Sequence, residues 1–286
     1  MSQINDAARV WFITGSSAGF GRALAEAVLA HGEHLVATAR HLEQLQDLSA
    51  RYLDHLLTLP LDVTNEQEIR AAVAQAVERF GRIDVLVNNA GYGLFGAVEE
   101  ADDAEARQIF DTNVFGVLNV TRAVLPIMRK QRHGHILMLS SLSGVVGTMG
   151  MGMYDATKFA VEGLSEALAQ EVAPLGIHIT LIEPGLFRTS FTGRSLKVAQ
   201  KQIEDYAQTS GMVVGWTKQH IDGQQPGDPA LAAQAMIKIT EVAQPPLRLV
   251  LGADALDMIR KKLAGMMQEL DAWEATTIAT AFPAVE

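Results

Sequence analysis

Tyr154 and Lys158 stand four residues apart at the head of a helical pattern that runs to about residue 172. Residues i and i+4 of a helix share one face, a single turn apart. A free phenol titrates near pH ~10 and is a poor proton donor or acceptor at neutrality. An ammonium beside it favours the phenolate and is expected to lower that value. Such a pair is the tunable acid/base that interconversion of a carbonyl and an alcohol needs. On a solvated helix the same two residues would mean nothing, so their meaning depends on what the rest of the chain brings to them.

Holding such a pair in place takes a rigid scaffold, and the chain alternates strand and helix patterns along most of its length. An apolar run at 10–13 leads into Thr14-Gly15-Ser16-Ser17-Ala18-Gly19-Phe20-Gly21 and then a helical pattern at 22–31. Strand, glycine-rich turn and helix make a phosphate cradle. Glycines let the backbone approach closely, and the helix start offers free N–H groups and a positive dipole end. The spacing G-x-x-x-G-x-G differs from the common G-x-G-x-x-G fingerprint, and an ordinary βα turn is the plain alternative. Further strands are expected at 34–39, 55–61, 83–87, 135–139, 177–182 and 247–251. The run at 83–87 is apolar apart from Asp84, as in a strand buried on both faces.

Polar and small residues collect where these strands end. The second ends in Thr38-Ala39-Arg40, where a dinucleotide site often has an acid for the ribose 2′-hydroxyl. Arg40 would instead pair with a 2′-phosphate, or simply be solvated. Asp62-Val63 closes the third strand, and Asn88-Asn89-Ala90-Gly91 the fourth. Those amides suit adenosine, backbone contacts or plain turn-making. Ser140-Ser141 closes the fifth, and the loop behind it is long enough to return the Ser141 hydroxyl to the head of the Tyr154 helix. Glu183-Pro184-Gly185 closes the sixth. Asn113 lies inside one long helical stretch at 104–130, which also carries Pro126. A mid-helix asparagine is mildly unfavourable and wants a reason.

Bulk composition bounds the rest. With 286 residues, 48% apolar, the chain can bury a sizeable core as one domain over 1–286. Its expected parts are a tail at 1–8, an irregular substrate-loop insert at 186–229 and a C-terminal helical extension at 253–286. A net charge of −10 without a basic stripe argues against nucleic acid as a partner. The absence of cysteine excludes disulfides, thiolate catalysis and Cys-ligated metals. His133, His135 and His178 lack ligand spacing, so no metal site is expected. No apolar stretch has signal-peptide character or transmembrane length, and a cytoplasmic location is the expectation.

Thr14, Gly15-xxx-Gly19-x-Gly21, Asp62, Asn88-Asn89-Ala90-Gly91, Asn113, Ser141, Tyr154-xxx-Lys158 and Pro184-Gly185-xxx-Thr189 follow in order over residues 10–189. Together they strongly resemble the short-chain dehydrogenase/reductase family. The resemblance implies an α/β fold: a doubly wound, mostly parallel seven-stranded sheet with helices on both faces, Rossmann-like. It implies NADP or NAD at the strand carboxyl ends, a small-molecule substrate and a homo-oligomer, dimer or tetramer. It also implies roles. Tyr154 would pass the proton, Ser141 bind the substrate oxygen, Lys158 bind the nicotinamide ribose and depress the tyrosine pKa, and Asn113 hold a relay water. Thr189 would contact the carboxamide and Asp62 the adenine. Gly15, Ser17, Gly19, Phe20, Gly21, Val63, Asn89, Ala90, Gly91, Pro184 and Gly185 would complete the coenzyme contacts. NADP-preferring members often carry a base where this chain has Ala18, which leaves the choice of NADP to Arg40.

The stretch beyond Pro245 resembles the branch that includes retinol and hydroxysteroid dehydrogenases. Subunit contacts are expected on the long helices at 104–130 and 152–172, with the C-terminal helix able to alter assembly. The substrate pocket is expected to be walled by Tyr92, Leu94, Phe95, Val145, Val146, Met149, Met151, Met153, Phe187, Phe191, Met212, Val213, Val214 and Trp216, an overwhelmingly apolar set with no lysine or arginine. Arg188 and Arg194 flank that set. A lipophilic carbonyl or alcohol follows as the expected substrate, with the insert closing over it. An epimerase or dehydratase on the same fold, and a non-catalytic dinucleotide sensor, are the alternatives.

Overall fold

The computed structural model describes residues 8–191, 193, 195–217 and 223–282. Most of the expected tail, and Arg194, lie outside the described residues. Strand β1 (Val10–Ile13) is buried along its whole length, as its unbroken apolar run requires. Helix α1 (Gly19–Ala30) leads to β2 (His34–Ala39), and α2 (Gln46–Arg51) to β3 (Leu56–Pro60). Asn65 caps α3 (Glu66–Phe80) by accepting from the Gln67 and Glu68 backbone N–H groups, and left-handed Gly81 ends it. Next come β4 (Val85–Asn88), β5 (Gly93–Phe95) and α4 (Asp103–Phe110), the helix opened by an Asp102/Glu105 capping box. Then follow α5 (Val117–Gln131), β6 (Gly134–Leu139), α6 (Gly152–Val172), β7 (Ile177–Pro184), β8 (Leu196–Val198), α7 (Ser210–Trp216), α8 (Pro229–Ile239), β9 (Arg248–Leu251) and α9 (Ala253–Ile278).

Seven strands form one sheet in the order β3-β2-β1-β4-β6-β7-β9, every pair parallel. Parallel neighbours need crossovers, so helices cover both faces and the strands are buried twice over. One apolar core joins the sheet to α3, α5 and α6, the other to α1 and α8. The winding reverses between β1 and β4, and an open α/β sheet presents its ligand crevice at that switch point, outside the strand carboxyl ends. Among the described residues, no helix is long and apolar enough to cross a membrane.

Two features differ from the sequence expectation. The single helix at 104–130 is divided: α4 and α5 are joined by a π-helical turn, Asp111–Gly116, with Asn113 buried inside it. The inserted residue of a π turn swings side chains out of the α register, which gives the mid-helix asparagine its reason. In addition, β5 and β8 pair as a separate parallel two-stranded ribbon, with Gly93 opposite Leu196 and Phe95 opposite Val198. The irregular insert is thereby tied to the loop that follows β4.

Candidate active site

The loop between β1 and α1 is built for close approach. Gly15 and Gly19 hold φ of 69° and 56°, in the left-handed region that other residues avoid. A Cβ on Gly21 would collide with the Gly15 carbonyl oxygen and with Asn89 Nδ2. Asn89 Nδ2 donates to the carbonyls of Thr14 (2.8 Å) and Gly15 (3.0 Å). Thr14 Oγ1 accepts from the backbone N–H groups of Asn89 and Ala90, both at 3.0 Å. The end of β4 is thus stitched to the glycine loop, so the Asn89 amide makes backbone contacts. Asn88 donates to Thr121 Oγ1 at 2.9 Å and is buried in the core.

Facing this cradle is the loop after β7. Thr189 comes within van der Waals reach of a Cβ built on Gly19. Phe20 and Phe187 pack with their rings tilted and centroids 5.1 Å apart. Gly185 N donates to Leu251 O (2.9 Å), and Leu186 N donates to Asp254 Oδ2 (2.8 Å). Asp254 sits in the first turn of α9, so the terminal helix anchors a loop at the site. At the other rim, Arg40 is exposed beyond the end of β2. Asp62 Oδ1 accepts from the Thr64 backbone N–H (2.9 Å) and hydroxyl (2.7 Å). Ser17, Val63, Gly91 and Pro184 line the same cavity.

The first turns of α6 bring Tyr154 and Lys158 together, with exposures of 6% and 8%. Lys158 Nζ donates to Leu139 O at 2.6 Å, the last residue of β6, and lies 5.6 Å from the Tyr154 ring centroid. Ser141 caps a short helical turn, its hydroxyl accepting from Ser143 N at 3.1 Å. Burial pushes the Tyr154 phenol above its ordinary range, and the nearby Ser141 hydroxyl opposes that rise. Burial likewise lowers Lys158 to about 8, against the pull of Glu162. This corrects the expected depression of the phenol by Lys158. The ammonium is turned to the Leu139 carbonyl, and desolvation of the charged form dominates both groups.

Asn113 spends its side chain on neighbouring structure. Oδ1 accepts from Tyr92 N (3.1 Å), while Nδ2 donates to Tyr92 O (2.9 Å) and Thr157 Oγ1 (3.2 Å). It therefore locks the segment after β4 to α6. Asp155 accepts from Thr148 N at 2.7 Å, securing the loop before Tyr154, and burial lifts its carboxyl to about 6.

Behind Ser141 lies a polar network that the sequence reading passed over. The Ser140 hydroxyl donates to Glu162. Arg248 Nε faces Glu183 Oε1 at 3.1 Å, and its Nη2 faces Glu162 Oε2 at 3.3 Å and pairs with Glu166. Glu183 is fully buried, and burial, with Glu162 next, raises its carboxyl to about 7. One signal was available: Glu162 stands four residues beyond Lys158, on the same helix face.

The glycine loop, Ser141, Tyr154 and Lys158 open onto one cavity of about 1180 Å³. Its polar end is the glycine loop with Arg40, Asp62 and Asn89, beside which Phe187 lies; its other end is walled by Phe95, Met151, Phe191, Met212 and Trp216. Tyr92 and Val213 also line it, whereas the expected wall residues Leu94, Val145, Val146, Met149, Met153 and Val214 do not. Leu94 packs in a small core with Ile109 and Tyr154, Met149 is 60% exposed, and neither Val145 nor Val146 reaches the lining. A lysine does reach it. Lys197 on β8 lies 3.0 Å from Gln108 Oε1 and 4.7 Å from the Tyr92 ring centroid. The expectation of a wall without lysine fails because the pairing of β5 with β8 carries Lys197 beside Tyr92 from far along the chain. Arg188 points to the Gln225 carbonyl, 3.2 Å away. Among the described residues, no group of three or more His, Asp or Glu is placed to hold a metal ion.

Comparison with known proteins agrees with this layout. The family described as short chain dehydrogenase matches residues 9–199. The chain is similar to oxidoreductase BOA17 of Botryotinia fuckeliana, with 40% identity over 96% of this chain and 99% of that protein. It is 36% identical to retinol dehydrogenase 8 of Bos taurus, over 85% of this chain and 81% of that protein. Its fold matches the crystal structure of a short-chain dehydrogenase from Streptomyces avermitilis with a TM-score of 0.90, at 42% identity over 96% of this chain and 100% of the other. Further structures similar in fold hold NAD or NADP.

Proposed function

The chain belongs to the short-chain dehydrogenase/reductase family, and from that premise we propose an oxidoreductase that uses NADP in preference to NAD and interconverts a lipophilic carbonyl with its alcohol. The observation that carries the reading is the buried Tyr154/Lys158 pair, set where a glycine cradle meets the apolar half of one cavity. The cradle fits a dinucleotide. Its glycines leave no room for a Cβ at Gly21, its helix start offers N–H groups, and Arg40 stands at the rim where a 2′-phosphate would find a bidentate cation. The bound coenzyme supplies or takes the hydride.

The protein's own groups supply position and a proton. In reduction, the Tyr154 hydroxyl gives its proton to the oxygen that becomes the alcohol; in oxidation it takes that proton back. Ser141 holds the same oxygen, stabilising charge as it develops. Lys158 offers three N–H donors, one already committed to Leu139, and the others suit ribose hydroxyls. The Asn113 amide holds Tyr92 and Thr157, so this residue keeps the wall and α6 in register. Gly15, Ser17, Gly19, Phe20, Asp62, Val63, Asn89, Ala90, Gly91, Pro184, Gly185 and Thr189 complete the coenzyme surface. The insert, with β8 and α7, forms the substrate wall, where apolar burial is favourable by roughly 25 cal/mol per Å². Lys197 adds a cation to that wall, beside Gln108.

Initial rates with NADPH and NADH against carbonyls of graded chain length and polarity test this. Rates should climb with apolar length and be higher with NADPH. Preference for small charged keto acids would overturn the substrate reading. Tight coenzyme binding without turnover on any carbonyl would leave a dinucleotide sensor instead.

A further inference from the structure

The terminal helix α9 has 26 residues and is about 39 Å long. Only its first turns belong to the body of the molecule: Ala255 and Ile259 are buried, and Asp254 holds the loop after β7. From Arg260 to Phe282 every residue is exposed except Gly265, which is half-buried. That free length is not polar. Leu263 is 51% exposed, Leu270 61% and Trp273 66%.

The apolar residues fall in a pattern. Leu256, Ile259, Leu263, Met266, Leu270 and Trp273 follow at alternating steps of three and four. This is the a/d seam of a heptad repeat, which winds toward one facing helix. The seam is covered by the body only at Ile259 and continues onto residues that the body does not cover. Contiguous exposed apolar surface of this kind marks an interaction site.

Charge selects the occupant. Arg260, Lys261 and Lys262 open the free half, and Glu269, Asp271 and Glu274 close it. A parallel copy would set like charges together, whereas an antiparallel copy sets the basic end of each helix on the acidic end of the other. Such a contact is isologous and closes at two copies. The helix as a whole carries five acids against three bases, unlike the cationic polar face of a helix that seeks anionic lipid. We propose that the free half of α9 is a self-association surface, pairing antiparallel with α9 of a second copy of this chain. In the heptad frame Arg260, Met267 and Glu274 share the e position. A two-fold axis beside Met267 brings each Arg260 opposite the other copy's Glu274.

Analytical ultracentrifugation of the full chain tests the proposal. Leu263→Glu/Leu270→Glu should halve the assembly mass while circular dichroism and coenzyme binding stay unchanged. Arg260→Glu should raise the dissociation constant at least tenfold, and Arg260→Glu/Glu274→Arg should restore it. The chain has no cysteine, so engineered thiols report the geometry cleanly. Met267→Cys should form a disulfide-linked dimer on mild oxidation. Arg260→Cys should not, because its two copies would lie roughly 20 Å apart. An unchanged mass in the double glutamate variant would overturn the proposal, as would cross-linking at position 260 equal to that at 267. So would a monomer that sediments with vesicles of anionic phospholipid, which would give the seam to a membrane surface.

Discussion

Tyr154 and Lys158 illustrate how burial competes with charge at a single site. Both are nearly inaccessible, and for both the larger effect is loss of hydration. The phenol is held protonated and the lysine is drawn down to about 8. A protonated phenol is what reduction needs, since the carbonyl oxygen must receive a proton as hydride arrives. Tyr154→Phe removes that proton and little else. Its kcat/KM should fall by about 10²–10⁴, the usual contribution of a positioned acid, while the coenzyme dissociation constant from fluorescence titration stays nearly the same. Retention of more than a few per cent of the rate would show that the proton comes from elsewhere.

At the scale of the element, each strand end carries a part, and side-chain networks hold the ends in register. Asn89 joins β4 to the glycine loop, Asn113 joins the β4 exit to α6, and Arg248 joins β9 to β7 and α6. The last junction has a pH signature. Glu183 is raised to about 7 from its ordinary 4.5, so the folded state keeps a proton that the unfolded chain has already released. A raised carboxyl contributes its full stability below about pH 4.5 and loses it as pH climbs through about 7. Glu183→Gln keeps the neutral shape and removes the titration. Thermal melts from pH 5 to 8 should show the wild type losing more stability than the variant as pH rises. Parallel curves would mean that Arg248 holds Glu183 ionised throughout.

At the scale of the whole molecule, the C-terminal extension belongs to the site as well as to the surface. Asp254 begins α9 and accepts from Leu186 N, two residues beyond Pro184 in the loop that faces the glycine cradle. A hydrogen bond to a charged acceptor contributes about 1.5–3 kcal/mol. Asp254→Ala should therefore loosen that loop. The coenzyme dissociation constant should rise about tenfold, with kcat less affected, since Tyr154 and Ser141 are mounted on other elements. Calorimetric titration checks it, and unchanged affinity would confine Asp254 to starting the helix. If α9 also pairs two copies, the same helix links assembly to the coenzyme loop.

Local patterns carried much of this protein in its sequence. The parallel strands were legible because residues buried on both faces must be apolar without a break. The glycine turn was legible because left-handed φ and absent Cβ atoms demand glycine, and Tyr154/Lys158 because four residues make one helical turn. What tertiary structure decided is whatever depends on residues distant in sequence. The pairing of β5 with β8 sets Lys197 in a wall expected to be free of lysine, and no local property of either strand announces the other. Ser140, Glu162, Glu183 and Arg248 come from the loop after β6 and from three separate elements, each unremarkable where it stands. The direction of the tyrosine's titration was misjudged from sequence for the same reason. Spacing tells which charge is near a group, but only the fold determines how much water both have lost.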